Sequence, residues 1–114
     1  TYDMYLIFSN AISLESFVTI INSADHDAAY TNASGNAVNV KFSNTCGYLS
    51  GAYEAPEGVN VVGGKTGTTH DAGYCLVLYS TNSDNERIIS IVYKADGKSN
   101  LYLLMNELLS GFAN

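Results

Sequence analysis

One lysine stands among glycines and hydroxyls in Val59-Asn60-Val61-Val62-Gly63-Gly64-Lys65-Thr66-Gly67-Thr68-Thr69. The chain has only five basic residues, so Lys65 is conspicuous. The β-branched lead-in favours a pleated strand. Gly63 and Gly64 allow close backbone approach on both faces, and Gly67 thins the strand again. A cation, small hydroxyls and bare backbone on one strand suit an anionic group. No other segment gathers so much polar chemistry with so little bulk.

Several chemistries are excluded by spacing. A phosphate loop needs glycine, four residues, then Gly-Lys-Thr. Counting back from Gly64 reaches Val59, so the pattern fails by one residue. A zinc site needs three or four ligands at short spacing, whereas His26 and His70 lie far apart without a nearby cysteine. Both are expected on surface turns. No Gly-x-Ser-x-Gly elbow occurs. Asp25 with Asp27, and Asp84 with Glu86, read as solvated turns rather than paired catalytic carboxylates. No metal and no cofactor is expected.

The elements that must carry this strand follow from pattern. Thr1 to Asn22 predicts helix, with Thr1 as N-cap and Asp3 in the first turn. Tyr5, Leu6 and Ile12 make it apolar nearly all round, so it expects cover on every side. That is more than 114 residues easily supply. Ser13 is expected to cap a second short helix holding Phe17, Val18, Ile20 and Ile21. Ser23 to Asp27 reads as a polar turn. Ala28 to Asn32 and Ala37 to Phe42 read as a hairpin around Ala33-Ser34-Gly35-Asn36. Ser43 to Gly58 is loop-rich and holds Pro56, the one proline. Tyr74 to Ser80 and Arg87 to Ala95 are further strands. Apolar residues on both faces of the latter place it deep in a sheet. Leu101, Leu104, Met105, Leu108, Leu109 and Phe112 form the stripe of an amphipathic helix. The order predicts one α+β domain over residues 1–114: a three-strand antiparallel meander, packed by N- and C-terminal helices, with a small hairpin.

Bulk properties narrow the partners. The net charge of −6 argues against nucleic acid and against an electrostatic membrane anchor. No apolar run approaches the ~20 residues of a membrane span. The chain opens on Thr1 rather than Met, so a processing or cloning boundary is expected there. Cys46 and Cys75 sit among small or apolar neighbours and read as free thiols, with a bridge as the alternative.

Lys65-Thr66-Gly67 on a strand resembles the third signature of the penicillin-recognising serine enzymes. The wider run to Thr69, the following Ala72-Gly73-Tyr74-Cys75-Leu76-Val77, the opening Tyr2-Asp3-Met4-Tyr5-Leu6-Ile7-Phe8 and the Ser43-Asn44-Thr45 to Leu49 loop look like the low-molecular-mass D-alanyl-D-alanine carboxypeptidases. The likeness covers the whole chain but only the C-terminal part of such a catalytic domain. No serine has lysine three residues on, so the family's Ser-x-x-Lys nucleophile is absent from this chain. Ser34-Gly35-Asn36 and Ser80-Thr81-Asn82 match the second signature, Ser-x-Asn, in form only. Both read as hairpin-turn chemistry.

The resemblance implies a fragment of the β-lactamase/transpeptidase-like fold that processes peptidoglycan. It implies that Lys65 helps sustain the proton-transfer network and attracts the substrate carboxylate, and that Thr66 and Thr68 hydroxyls bind the terminal D-alanine carboxylate. The Thr68 N–H would be one oxyanion donor, and Gly67 would leave room for substrate backbone. Stem peptides ending in D-Ala-D-Ala, and β-lactams, are the implied ligands of the full domain. The parent would work outside the cytoplasmic membrane, in the bacterial envelope or secreted. Alternatives are a related β-lactamase or transpeptidase, or a non-catalytic interaction module of the same fold. Family strands beyond this chain would flank Arg87 to Ala95. That strand is therefore expected to be a bare edge through which the chain self-associates across a two-fold axis.

Overall fold

The computed structural model describes residues 1–113. Two helices, a hairpin, a three-strand meander and a third helix follow one another: α1 (Tyr2–Ala11), α2 (Glu15–Asn22), β1 (Asp25–Thr31), β2 (Ala37–Ser43), β3 (Asn60–Thr69), β4 (Gly73–Thr81), β5 (Arg87–Ala95) and α3 (Lys98–Phe112). The main sheet is antiparallel in the order β3-β4-β5, and β1 pairs only with β2.

The sheet is covered on both faces, and strand alternation decides which residue goes where. Leu76 and Leu78 point one way, into a core with Leu101, Tyr102, Met105 and Leu109 of α3. Val77 and Tyr79 point the other way, against Phe8 of α1 and Ile21 of α2. Burial on both faces explains why β4 reads as a continuous apolar run instead of an alternating one.

Two glycines set how closely the layers approach. A Cβ on Gly63 would lie 2.5 Å from the Ile21 carbonyl oxygen, so α2 packs directly on bare backbone. A Cβ on Gly64, facing the other core, would lie 2.6 Å from the Val77 carbonyl oxygen. The pairing register shifts between Val61 and Gly63, a bulge at the point where α2 docks.

The structure corrects the helix and turn boundaries. The first helical stretch breaks after Ala11, and the two helices meet at 103°. Thr1 is the N-cap of α1 by position, yet its side chain makes no capping bond. Ser13 does not cap α2: Leu14 holds that position, while the Ser13 hydroxyl donates back to the Asn10 carbonyl at 2.6 Å. This is the local back-bonding open to serine at a helix end. Asp25 to Asp27 belong to β1 rather than to a turn, because they pair with Lys41 to Ser43. His26 therefore lies on a strand, though still exposed. Ser80 and Thr81 close β4 instead of sitting in the turn, and Ser80 is fully buried. The helical face of α1 remains largely uncovered: Phe8 is buried, while Tyr2, Leu6 and Ile7 stay exposed. Among the described residues, no single helix is long and apolar enough to cross a membrane.

Candidate functional site: an open strand edge between two pockets

β3 is an edge strand of its sheet. In an antiparallel ladder every second residue of such a strand turns its N–H and C=O away from its neighbour. The stretch from Lys65 to Thr69 thus offers unpaired backbone groups along an open side. Its far end is held by the β3–β4 turn, where the Thr69 hydroxyl accepts the Ala72 N–H at 2.9 Å and Gly73 takes a positive φ of 65°.

The pleat divides the polar side chains between the two faces of the strand. Lys65 and Gly67 line a cleft of about 320 Å³ whose other walls include Met4, Phe8 and Tyr93. Thr66 and Thr68 line a smaller pocket of about 170 Å³ with Thr45, Tyr74, Lys98 and Tyr102. Thr66 borders both spaces. Lys65 is exposed, and its ammonium donates to the Thr66 carbonyl. A Cβ on Gly67 would meet nothing within 4 Å. That space lies open to a ligand, in contrast to the tight packing at Gly63 and Gly64.

Two residues of the smaller pocket were not singled out from sequence. The Thr66 hydroxyl donates to the Thr45 hydroxyl at 2.8 Å, which orients the first strand hydroxyl. Lys98 opens α3, whose first turn has no acidic residue. A lysine there opposes the helix dipole, so nothing in helix stability favours it. Its presence beside two threonine hydroxyls gives the pocket a positive end. The signal existed in the sequence as one more lysine among five basic residues, but only the fold returns it to β3.

The loop that carries Thr45 is anchored twice. The Asn44 side chain donates to the Ile21 and Ser23 carbonyls at 3.1 and 2.8 Å and accepts the Cys46 N–H at 2.8 Å. Further on, the Gly47 N–H donates to the Tyr102 hydroxyl at 2.6 Å. The Tyr53 ring stacks on Tyr102 at 4.0 Å, and Tyr48 meets it edge-on at 5.1 Å. The Tyr48 hydroxyl donates to Asn106 Oδ1 at 2.7 Å. Burial pushes the Cys46 thiol and the Tyr48 and Tyr102 hydroxyls above their ordinary pKa, so all three stay neutral. Cys46 and Cys75 are both free thiols. His70 is exposed in the β3–β4 turn, 3.2 Å from Asp71, and far in sequence from His26 on β1. No cluster of three metal-ligating side chains occurs among the described residues.

The fold belongs to a known class of structure. The R248L mutant of Streptomyces K15 DD-transpeptidase superposes with a TM-score of 0.72 at 23% identity, over 87% of this chain and 36% of that one. The two share a fold, and the present chain spans about a third of the other's length. No curated protein sequence matches. The D-alanyl-D-alanine carboxypeptidase family model matches residues 1–97, and the chain belongs to that family.

Proposed function

We propose that the chain is the C-terminal part of the catalytic domain of a serine-type D-Ala-D-Ala carboxypeptidase. It supplies the wall of the active site that holds the substrate's terminal carboxylate. The observation that carries this reading is the open β3 edge, with Thr66, Thr68 and Lys98 around one pocket.

Each group has a physical task. A stem peptide lies along the β3 edge as an added strand, using the unpaired backbone groups. Its terminal carboxylate enters between the Thr66 and Thr68 hydroxyls, and Lys98 supplies the counter-charge. Gly67 leaves space where the penultimate residue crosses the strand. The Thr68 N–H is one donor to the oxyanion that forms when a serine attacks the penultimate carbonyl. Lys65, on the other face, sets the field of the proton-transfer network and faces the α1 cleft. The serine and its lysine come from outside these 114 residues, since no Ser-x-x-Lys occurs within them. The terminal D-alanine then leaves, and water releases the acyl group. β-Lactams enter by the same carboxylate contact. The complete protein acts outside the cytoplasmic membrane, where its substrate lies.

Calorimetric titration with an N-acylated peptide ending in D-Ala-D-Ala tests the half-site. The chain is expected to bind it, while Thr66→Val and Lys98→Ala each weaken binding by about tenfold. The same chain is expected to show no covalent label after incubation with a fluorescent penicillin. Unchanged affinity in both variants, or a labelled band, would contradict the reading.

A further inference from the structure

We propose that Thr45 is a positioning residue for the carboxylate pocket: its hydroxyl donates to Thr66, so that Thr66 can turn its own proton toward the ligand. The inference rests on the carboxylate reading given above and adds the residue that sets the direction of one of its donors.

A threonine hydroxyl has one proton to give and two lone pairs to offer. In the structure the Thr66 hydroxyl donates to Thr45 Oγ1 at 2.8 Å. So directed, Thr66 shows only lone pairs to the pocket that it lines with Thr68 and Lys98. Lone pairs repel a carboxylate. Binding therefore requires the bond between the two hydroxyls to reverse. Neither oxygen has to move, because a hydroxyl hydrogen rotates about its C–O bond. Each proton stays on its own oxygen, and only the direction of donation changes. Thr45 is free to make this exchange: among the described residues its hydroxyl has no other hydrogen-bond partner. The order of donation then runs from Thr45 to Thr66 to carboxylate. A hydroxyl that accepts a hydrogen bond becomes a stronger donor, so the pair holds the anion more tightly than Thr66 alone.

The loop fixes Thr45 for this task. The Asn44 side chain donates to the Ile21 and Ser23 carbonyls, and its Oδ1 accepts the Cys46 N–H. That last bond closes an Asx turn around Thr45. Cys46 is fully buried, and the Gly47 N–H donates to the Tyr102 hydroxyl. A Cβ on Gly47 would lie 2.5 Å from the Tyr53 ring and 2.8 Å from the Tyr102 ring, so the loop rests directly on the stacked pair. The Thr45 side chain is exposed, yet its backbone is pinned on both sides. A hydroxyl held in this way needs little further ordering when a ligand arrives. Thr68 lines the same pocket, but its hydroxyl does not meet Thr45.

NMR titration of the chain with an N-acylated peptide ending in D-Ala-D-Ala tests the relay, with circular dichroism to confirm that each variant is folded. Thr45→Val keeps the shape and removes the hydroxyl, and is expected to weaken binding about fivefold. Thr45→Ser keeps the hydroxyl and is expected to bind within about twofold of the unaltered chain. Because Thr45 acts through Thr66, Thr45→Val is expected to add nothing in a Thr66→Val background and its full cost in a Thr68→Val background. Unchanged affinity in Thr45→Val would overturn the proposal and leave the carboxylate reading in place. So would an equal loss in Thr45→Ser and Thr45→Val, or an equal cost of Thr45→Val in both backgrounds. A chain that binds no peptide at all would overturn both.

Discussion

At the scale of single residues, the proposed carboxylate site is the pocket lined by Thr66, Thr68 and Lys98. The tripeptide Lys65-Thr66-Gly67 could be read directly from the sequence, because a rare lysine among glycines has no packing role to explain it. What could not be read was the division by the pleat, which sends Lys65 to the α1 cleft and the threonines toward α3. Lys98 was hidden for a different reason. It is 33 positions from Lys65 in sequence, and only the β4–β5 meander brings the start of α3 back beside β3. The glycines also separate by task. Gly63 and Gly64 are bare because backbone approaches them, whereas Gly67 is bare toward open space. Gly63→Ala is therefore expected to destabilise the fold by about 1–3 kcal/mol, since the new methyl meets the Ile21 carbonyl rather than a yielding side chain. Gly67→Ala is expected to leave stability nearly unchanged and to weaken peptide binding. Chemical denaturation of both variants, read beside their peptide affinities, checks this contrast.

Among the elements, the long periodic ones were legible and the short joints were not. β5 follows from its run of apolar residues on both faces and the α3 stripe from i, i+3, i+4 spacing, although β5 is an edge of the described sheet rather than deep within it. The pattern starts the second short helix at Ser13, one residue before its actual N-cap Leu14, and misses the true start of β1. Ser13 reads as a cap but bonds back locally to the Asn10 carbonyl, and Asp25 reads as a turn until pairing with Ser43 claims it for β1. The Tyr48, Tyr53 and Tyr102 cluster was equally invisible. Nine tyrosines in a composition do not say that three of them stack to tie the Thr45 loop to α3. That cluster has a consequence in alkali. The folded pKa values of Cys46, Tyr48 and Tyr102 lie above their unfolded values, chiefly through burial. The unfolded chain therefore loses these protons first, and above about pH 9 to 10 it binds fewer protons than the folded chain. Stability is expected to be flat below that window and to fall as pH rises through it. Tyr48→Phe is expected to lessen the slope. Urea midpoints measured between pH 7 and 11 test both statements.

At the scale of the whole molecule, surface is left over. The radius of gyration is 15.6 Å, against about 13 Å for a compact chain of this length. The accessible surface is 7355 Å², against about 6100 Å² for a compact protein of this mass. The excess has identifiable sources. The β1–β2 hairpin leaves Tyr30 and Phe42 on one uncovered face, α1 exposes Leu6 and Ile7, and β5 is open along its edge. The apolar circumference of α1 announced this from sequence, because a helix apolar on every side needs more cover than one small sheet gives. The β3 edge is open as well: its α1 side is an apolar cleft with Ile7, Phe8, Phe17 and Ile21, and its α3 side carries the Thr45, Thr66 and Thr68 hydroxyls and Lys98, the side on which the proposed peptide end would bind. The most direct test is an NMR titration of the chain with an N-acylated D-Ala-D-Ala peptide and with the same peptide as its C-terminal amide. The free acid is expected to shift the amide signals of Thr66, Gly67, Thr68 and Lys98 in a saturable way, and the C-terminal amide to do so at least tenfold more weakly. Equal binding of acid and amide, or shifts that avoid β3, would contradict a carboxylate site on this strand.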